Sequence, residues 1–429
     1  MKTLPIDPDS LIVPRLSFPE KGRTHDAVLQ ELRERKQGDA DWPGGRVPLF
    51  VFRGNDDAFN IGRDAFIEYF TENALGAARA FPSVRGMEQE VIGMVLDLFH
   101  APARAAGFMT TGGTESIILA VQACRNHARA QRDDPHHRGN IVAAESAHPA
   151  FDKAAGLMDL TVRRVPVDAS FRASPERMRA SIDDNTIMLV GSAPCFPFGV
   201  FDPITGLASL AKEKQLWLHV DACVGGYLAP FAAILGRDIP AFDLGVDGVS
   251  SLSADLHKYG YCPKPASTVL YADASLAAYQ PFQFDRWPNG NFTTSTIVGT
   301  RPAGGVAGAW ATLQLLGSTG YQQVAGQLLA AIDQYCKGVN ALPGLSVLGQ
   351  PELAIVAFTS EDRDIFSLAQ ALQALGWQPG LLQNPRAIHR MMSMLHVNSM
   401  DAYLSDLART LPGVGRADAS QGAGPVRYT

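Results

Sequence analysis

Short apolar segments alternate with amphipathic segments along most of the chain, and this alternation predicts its secondary structure. After about residue 85, the spacing of apolar residues predicts helices at 87–99 and 117–130. Short apolar runs predict strands at 141–144, 162–165, 187–191, 217–220 and 246–250. Strands that alternate with helices are typical of a mainly parallel sheet with helices on both faces. We therefore expect an α/β fold.

The two ends of the chain depart from this pattern. Residues 1–55 mix prolines and charges around one apolar run at 47–52, which predicts an N-terminal arm with one strand. A glycine and proline cluster at 299–305 indicates the end of a large domain, 56–305. Helical spacing at 307–316, 321–342 and 365–375 and apolar runs at 345–348 and 353–359 predict a small C-terminal α+β domain, 306–411. The Gly/Ala/Ser-rich tail, 412–429, is predicted to be disordered.

Composition and charge exclude several classes of protein. The 429 residues carry a formal net charge of −6, which gives no reason to expect a nucleic-acid or membrane partner. No apolar run approaches the roughly 20 residues of a membrane helix, and the first residues lack the features of a signal peptide. The five cysteines are scattered without a CxxC pair, so we expect no disulfide framework and no metal site. A reducing cytoplasm fits this usage best.

The segment TTGGTES, residues 110–116, places two glycines at the start of a predicted helix. Thr114 is a good candidate for the N-cap of that helix. Such a turn lets backbone N–H groups approach an anion at the positive end of the helix dipole, so Gly113 and Thr114 are candidates to hold a phosphate. An ordinary capped strand-to-helix turn explains the segment equally well. It is not a Walker motif, because no Gly-Lys-Ser/Thr follows.

Two further segments carry candidate chemistry. In WLHVDACVGG an apolar strand ends at Asp221, where a carboxylate could pair with a protonated ring nitrogen or simply cap a helix. In SSLSADLHKYGYCPK, Lys258 lies among polar and aromatic residues, which suits a Schiff-base amine, although a single lysine is by default a solvated surface residue. Together the three segments supply a phosphate site, a partner for a ring nitrogen and an amine for an aldehyde. Pyridoxal 5'-phosphate has all three groups.

These blocks, with AHPAFDKAAGLM, GSAPCFPFGVFDPI, STIVGTRPAGG and AIHRMMSMLH, resemble the sphingosine-1-phosphate lyase family of fold-type-I pyridoxal-phosphate enzymes. That family is related to the group II decarboxylases, and the similarity runs from about residue 45 to about 410. The resemblance implies a mainly parallel seven-stranded sheet and a small C-terminal domain. It also implies a small-molecule amine as substrate, a homodimer with the active site at its interface, and a form without the membrane anchor of eukaryotic members.

The resemblance assigns roles to particular residues. Lys258 matches the Schiff-base lysine, Asp221 the partner of the ring nitrogen and His148 the residue stacked on the ring. Cofactor contacts near the phosphate match Gly113, Thr114, Ser253, His257 and Thr300, the last reaching the cofactor of the other subunit. A capping or solvated histidine remains the alternative for His148, and an ordinary loop hydroxyl for Thr300.

Substrate recognition departs from the family pattern. Phe52 lies where family members have a tyrosine, and Gly76 where they have a histidine, both of which help to bind the substrate's phosphate. Asn73 and Lys264 are retained, and Tyr261 is a further candidate substrate contact. Arg79 or Lys264 could replace the lost donors, or the alignment could slip at the one-residue insertion before Phe81. The cofactor chemistry is therefore expected to be intact and phosphate recognition altered.

The resulting hypothesis is an aldehyde-lyase that cleaves the Cα–Cβ bond of a β-hydroxy amine, with or without a phosphate. The first alternative is a group II amino-acid decarboxylase, for which Arg301 and Arg390 are candidates to hold a substrate carboxylate. The second is a catalytically silent cofactor-binding protein, against which Lys258, Asp221 and His148 argue.

Overall fold

The structure, a computed structural model, describes residues 7–416. The chain divides into two compact units, Met1–Ala40 and Asp41–Thr429. In the first unit a turn of 3-10 helix, Pro8–Leu11, precedes helix α1, His25–Lys36. The hydroxyl of Thr24 accepts a hydrogen bond from the N–H of Ala27 and so caps α1. The domain boundaries proposed from the sequence stay predictions.

The second unit contains the remaining helices and all the strands of the described residues. Its helices are α2 (Asp56–Glu68), α3 (Pro82–Leu98), α4 (Gly113–Arg132), α5 (Ala150–Leu157), α6 (Pro175–Ala180), α7 (Ile204–Lys214), α8 (Ala229–Ile234), α9 (Ala274–Ala277), α10 (Gly304–Asn340), α11 (Ile365–Ala374), α12 (Met394–Val397) and α13 (Met400–Thr410). Its strands are β1 (Ala106–Thr110), β2 (Asn140–Ala144), β3 (Thr161–Val165), β4 (Thr186–Ser192), β5 (Trp217–Asp221), β6 (Ser251–Ala254), β7 (Ser267–Tyr271), β8 (Phe282–Trp287), β9 (Gly290–Thr294), β10 (Leu345–Val347), β11 (Ile355–Ser360), β12 (Gly380–Gln383) and β13 (Arg386–Met391). Two short 3-10 helices, Ala74–Gly76 and Leu411–Gly413, complete it.

The central sheet has seven strands in the order β1-β7-β6-β5-β4-β2-β3. Strands β3, β2, β4, β5 and β6 pair in parallel, whereas β7 pairs antiparallel with both β6 and β1. Alternate residues of these strands enter two separate hydrophobic cores. Val142, Leu189 and Leu252 pack in one core, while Ile141 and Val190 pack in the other. Both faces of the sheet are therefore covered, and the predicted mainly parallel α/β fold is confirmed.

Two predicted strands are wrong. Residues 246–250 form turns instead, with hydrogen bonds from the N–H of Val249 to the carbonyl of Val246 and a positive φ of 108° at Gly248, and β6 begins only at Ser251. Residues 47–52 join no sheet. The carbonyl of Pro48 accepts from the N–H of Met391, and Phe50 has a φ of 63°, which breaks an extended run.

The C-terminal region is a four-stranded antiparallel sheet in the order β10-β11-β13-β12, packed with α11. This confirms the predicted small α+β region. Helix α10 precedes it and contains one residue outside helical geometry, Gly317, with φ 51° and ψ −175°. Gly317 falls in the gap between the two predicted helices, 307–316 and 321–342.

Several elements were not predicted, among them the antiparallel strands β1 and β7 and the hairpin of β8 and β9, whose strands are largely exposed. Within residues 7–416, no helix is long and apolar enough to cross a membrane, and no cluster of side chains could hold a metal ion. Of the tail predicted to be disordered, residues 417–429 lie outside the described residues.

Candidate active site

The candidate catalytic residues meet at one edge of the central sheet. Asp221 is the last residue of β5, His148 follows β2 by four residues, and Lys258 lies in the turn after β6. Because these three strands are parallel, their carboxyl ends lie along the same edge. They border a cavity of about 300 Å³, the cofactor cavity, together with the first turn of α4. It is lined by Thr111, Gly112, Gly113, Thr114, Glu115, Ile117, His148, Pro194, Phe196, Asp221, Cys223, Val224, Asp255, His257 and Lys258.

The first turn of α4, where the sequence predicted an anion site, lines the cofactor cavity, and its role in holding a phosphate stays a prediction. Gly112 is its N-cap, so the prediction that Thr114 caps this helix is wrong, and Thr114 lies one residue inside it. A side chain at Gly113 would place its Cβ 2.7 Å from Sγ of Cys223 and 2.9 Å from Oδ2 of Asp255. Only glycine fits there, and the residues of this first turn, whose N–H groups have no partner within the helix, line the cavity.

The carboxylate of Glu115 ties the start of α4 to a distant loop. It accepts hydrogen bonds from the N–H and the hydroxyl of Thr111, both at 2.7 Å. Its other oxygen accepts from the N–H groups of Ile297 at 2.8 Å and Val298 at 3.3 Å. A buried carboxylate that accepts several such bonds is well satisfied. It therefore holds residues 297–298 beside the cofactor cavity.

Lys258 forms a buried ion pair in this cavity. Its Nζ lies 3.0 Å from Oδ2 of Asp255, which is 2% exposed. Burial alone would lower the pKa of Lys258, but the attraction of Asp255 outweighs it and raises that pKa. Burial would raise the pKa of Asp255, but Lys258 and His257 together leave it lowered. The pair is therefore charged at neutral pH.

The carboxylate of Asp221 is buried at the end of β5. Its Oδ1 accepts a hydrogen bond from the N–H of Cys223 at 3.1 Å, which fixes one oxygen and leaves the other available toward the cavity. His148 lies in the same lining, and its Nδ1 accepts from the N–H of Ala150 at 3.1 Å. The hydrogen of the neutral ring is therefore on Nε2. Burial lowers the pKa of His148, although the charge of Asp221 opposes this.

His257 and Ser253 take different positions. The Nδ1–H of His257 donates to the carbonyl of Ala266 at 2.7 Å, and the ring lines the cofactor cavity. Ser253 is fully buried in β6 and forms hydrogen bonds with Nε2 of His219 at 3.1 Å and with Sγ of Cys223 at 3.3 Å. It lies behind the lining residues, so its contact with the cofactor stays a prediction without geometric support.

Thr300 and Asn73 lie outside the cofactor cavity and contact each other. The side-chain amide of Asn73 donates to the hydroxyl of the exposed Thr300 at 3.3 Å, and its oxygen accepts from the N–H of Leu75 at 3.0 Å. Asn73 therefore fastens the 3-10 helix Ala74–Gly76 to the loop that carries Thr300. The roles of both residues in binding stay predictions.

The other candidate substrate residues line a second cavity of about 350 Å³, the apolar cavity, which shares His257 with the cofactor cavity. Its lining comprises Val51, Phe52, Ala58, Phe59, Gly62, Arg63, Phe66, Ile67, His257, Tyr261, Cys262, Pro263 and Lys264. The ring of Phe52 packs edge-on against Tyr259, with 5.0 Å between centroids. Lys264 donates from Nζ to the carbonyl of Phe50 at 2.5 Å, and burial lowers its pKa.

Neither arginine proposed for a decarboxylase lines the two cavities. Arg390 is 1% exposed, and its guanidinium lies 3.7 Å from the ring centroid of Tyr403. Arg301 donates to the hydroxyl of Thr296 at 3.2 Å. Gly76 and the exposed Arg79 are likewise absent from both linings among the described residues.

Sequence reasoning missed Asp255 and Glu115. Both lie inside the segments TTGGTES and SSLSADLHKYGYCPK. In each segment, a turn or the start of a helix brings the residue into contact with another residue of the same segment. Asp255 precedes Lys258 by three residues, and Glu115 follows Thr111 by four. Spacings of three and four residues bring side chains together in helical turns, so this signal was present.

These groups fit pyridoxal 5'-phosphate. Gly113 lets the start of α4 pack closely against Cys223 and Asp255, so that this first turn lines the cavity, and Asp221 supplies a carboxylate at the end of β5. Lys258 keeps 22% of its side chain exposed and lines the cavity.

Comparison with known proteins gives the same result. Residues 71–361 match the family model described as the pyridoxal-dependent decarboxylase conserved domain. The chain is 37% identical over 400 residues to a sphingosine-1-phosphate lyase of Oryza sativa subsp. japonica, covering 92% of this chain and 74% of the relative. It is 34% identical over 349 residues to a probable L-tyrosine/L-aspartate decarboxylase of Methanothermobacter thermautotrophicus, covering 80% of this chain and 92% of that protein.

A solved structure agrees with this relationship. The sphingosine-1-phosphate lyase of Burkholderia pseudomallei superposes with a TM-score of 0.89 at 35% identity, over 94% of each chain. The chain therefore belongs to the sphingosine-1-phosphate lyase family, and it is a pyridoxal-phosphate-dependent lyase.

Proposed function

We propose that this lyase cleaves the Cα–Cβ bond of a β-hydroxy amine and releases an aldehyde and a smaller amine. The observation that carries this proposal is the meeting of Lys258, Asp221, His148 and the first turn of α4 around one cavity. Relatives of the chain are sphingosine-1-phosphate lyases, which supports an amino alcohol as the substrate class.

Asp221, the first turn of α4 and Lys258 each have a task in this proposal. The bound cofactor supplies a ring that accepts electrons from the breaking bond. Asp221 holds a proton at the ring nitrogen, and the N–H groups at the start of α4 bind the phosphate. Lys258 would hold the cofactor through its Nζ, and this amine, once free, would take the proton of the β-hydroxyl.

The apolar cavity supports a substrate with an apolar portion. Its walls include Phe52, Phe59 and Phe66, and its cations are Arg63 and Lys264, of which Lys264 already donates to a backbone carbonyl. Burying a phosphate dianion without hydroxyl or imidazole donors is costly. We therefore propose that sphingosine 1-phosphate is a poor substrate and that a β-hydroxy amine without phosphate is preferred.

A homodimer is the proposed functional form. Large apolar side chains stay exposed on β8 and on the segment that leads to Thr300, including Phe282 at 53%, Trp287 at 48% and Ile297 at 52%. An exposed apolar patch beside a functional loop is typical of a protein interface. A second subunit that covers this patch would bring Thr300 to the neighbouring cofactor. The five cysteines are all free, which supports the cytoplasm as the compartment.

A decarboxylase remains the second candidate, supported by the 34% identical relative from Methanothermobacter thermautotrophicus. One assay separates the two candidates. The purified protein, loaded with cofactor, is incubated with phosphorylated and unphosphorylated amino alcohols and with amino acids, and both aldehyde and carbon dioxide are measured. Aldehyde release from amino alcohols is expected. Carbon dioxide from amino acids with no aldehyde from any amino alcohol would contradict the lyase reaction proposed here.

The assignment of Lys258 has its own test. Borohydride reduction should fix the cofactor to this residue, and peptide mapping should find the label there. A label on another lysine of the cofactor-loaded protein would overturn it.

A further inference from the structure

Asp255 occupies an unusual position between the lysine and the anion site. It directly follows β6, and its Oδ2 lies 3.0 Å from Nζ of Lys258. Its Oδ1 is enclosed and has no hydrogen-bond partner. Both oxygens lie close to Gly113, at 2.9 and 3.0 Å from the position that a Cβ would take there. The carboxylate therefore has one oxygen on the amine and the other enclosed beside Gly113.

The ion pair creates a chemical difficulty for an amine that must add to an aldehyde. An ammonium has no lone pair, so Lys258 must lose a proton before its nitrogen can form a bond. Within residues 7–416, Asp255 is the only carboxylate within 4 Å of Nζ. The ionisable groups that face Asp255 are Lys258, His257, His148, Asp221, Cys223 and Tyr227.

The other groups are poor acceptors for this proton. Burial raises the pKa of the Cys223 thiol well above its usual value, which keeps it protonated. Nε2 of His257 lies 3.8 Å from Oδ2 of Asp255, and its Nδ1 donates to the carbonyl of Ala266. Among the described residues, His257 forms no hydrogen bond with Nζ of Lys258. Asp221 already accepts from the N–H of Cys223 and lies at the end of the neighbouring strand. Among these groups, Asp255 alone is a carboxylate within hydrogen-bond distance of Nζ.

We propose that Asp255 is the proton acceptor and donor through which Lys258 captures the cofactor's aldehyde. The ammonium of Lys258 first gives one proton to Asp255, and the neutral Nζ then adds to the aldehyde carbon. A second proton moves from Nζ to the former aldehyde oxygen. Asp255 returns its proton to the same oxygen, which leaves as water while the carbon–nitrogen double bond forms. The positive charge stays on the nitrogen, and no net proton is gained or lost.

This inference rests on the proposed role of Lys258 and adds a partner to it. Geometry also allows a contrary role, in which Asp255 only keeps Lys258 charged and so slows capture. The two roles predict opposite effects of removing the carboxylate. Shuttling by a positioned acid or base is worth about 10²–10⁴-fold in rate. The proposal requires that loss of the shuttle outweigh the gain from a lower lysine pKa, and the rates measured below decide between the two roles.

The test measures how fast the cofactor-free protein captures the aldehyde covalently. After rapid mixing, the rate is read from the absorbance of the new carbon–nitrogen double bond. Asp255→Asn and Asp255→Ala are compared with the wild type and with Asp243→Asn, a control aspartate outside both cavities. Each is mixed with pyridoxal 5'-phosphate and, separately, with pyridoxal, which lacks the phosphate. Both Asp255 variants should capture both aldehydes about 100-fold more slowly or worse. Added formate should accelerate Asp255→Ala in proportion to its concentration.

Several outcomes would overturn the proposal. Capture by Asp255→Asn at the wild-type rate or faster would show that the carboxylate only holds the lysine charged. Slowing with pyridoxal 5'-phosphate but not with pyridoxal would place its effect on the phosphate. If both variants unfold, wild-type capture in D2O decides, because an unchanged rate there means that no proton transfer limits capture. Lys258→Ala separates the two proposals: persistent capture by this variant contradicts the assignment of Lys258, not the role of Asp255.

Discussion

Glu115 offers a direct test of how the cofactor cavity is held together. Replacing Glu115 with alanine removes the acceptor for the N–H groups of Ile297 and Val298, at 2.8 and 3.3 Å, and for the N–H of Thr111. A hydrogen bond to a charged group contributes about 1.5–3 kcal/mol. Each of these amides should therefore open more easily by about that amount.

Amide hydrogen exchange measures this opening. Exchange at Ile297 and Val298 should become about ten- to hundred-fold faster in Glu115→Ala, because each 1.4 kcal/mol corresponds to about a factor of ten. Glu90→Ala is a matched control, since Glu90 accepts a hydrogen bond from Nε1 of Trp310 at 2.7 Å, away from this loop. Unchanged exchange at both amides in Glu115→Ala, in a protein that remains folded, would refute the role of Glu115 as the anchor of this loop.

Three further predictions concern assembly, substrate and pH. If Thr300 completes the neighbour's site, mixing equal amounts of Lys258→Ala and Thr300→Trp should restore about a quarter of wild-type activity. No recovery in a sample that sedimentation shows to contain mixed dimers would contradict this. Phe52→Tyr should raise kcat/KM for a phosphorylated amino alcohol about ten-fold relative to the unphosphorylated one, whereas Phe59→Tyr in the same cavity should not. A wild-type preference for the phosphorylated substrate by orders of magnitude would show that Lys264 and Arg63 suffice. Burial lowers the pKa of His389 from 6.5 to about 4, so the unfolded state takes up a proton first and stability is lost as pH falls from about 6.5 toward 4. That loss should reach about 3 kcal/mol and disappear from the urea-unfolding pH profile of His389→Gln.

The central sheet and the order of its chemical groups could be predicted from the sequence. Lys258, Asp221 and Gly113 each follow or end an apolar run, and parallel strands bring such positions to one edge. The pattern of apolar residues gave wrong predictions where the outcome depends on backbone conformation or on distant hydrogen-bond partners. Residues 246–250 were predicted as a strand from two valines, yet the positive φ at Gly248 turns the chain there.

Contacts between distant segments could not be predicted from the sequence either. The apolar run at 47–52 finds hydrogen-bond partners some 340 residues later, at Met391 and His396, instead of in a sheet. The position of Asn73 beside Thr300 depends in the same way on a loop 227 residues away. Local periodicity carries no record of such pairings, whereas the i, i+3 pair of Asp255 and Lys258 was readable in principle.

The hydrogen bond between His257 and Ala266 has a consequence for how an anion enters the cofactor cavity. Because Nδ1–H donates to that carbonyl, the neutral ring has only a lone pair at Nε2. A lone pair repels a phosphate oxygen, so an anion beside Nε2 is held best when the ring is protonated. Burial lowers the pKa of His257, and the ring starts out neutral. A phosphate bound beside Nε2 would therefore draw a proton from the solvent, and its affinity would rise as the solution becomes more acidic.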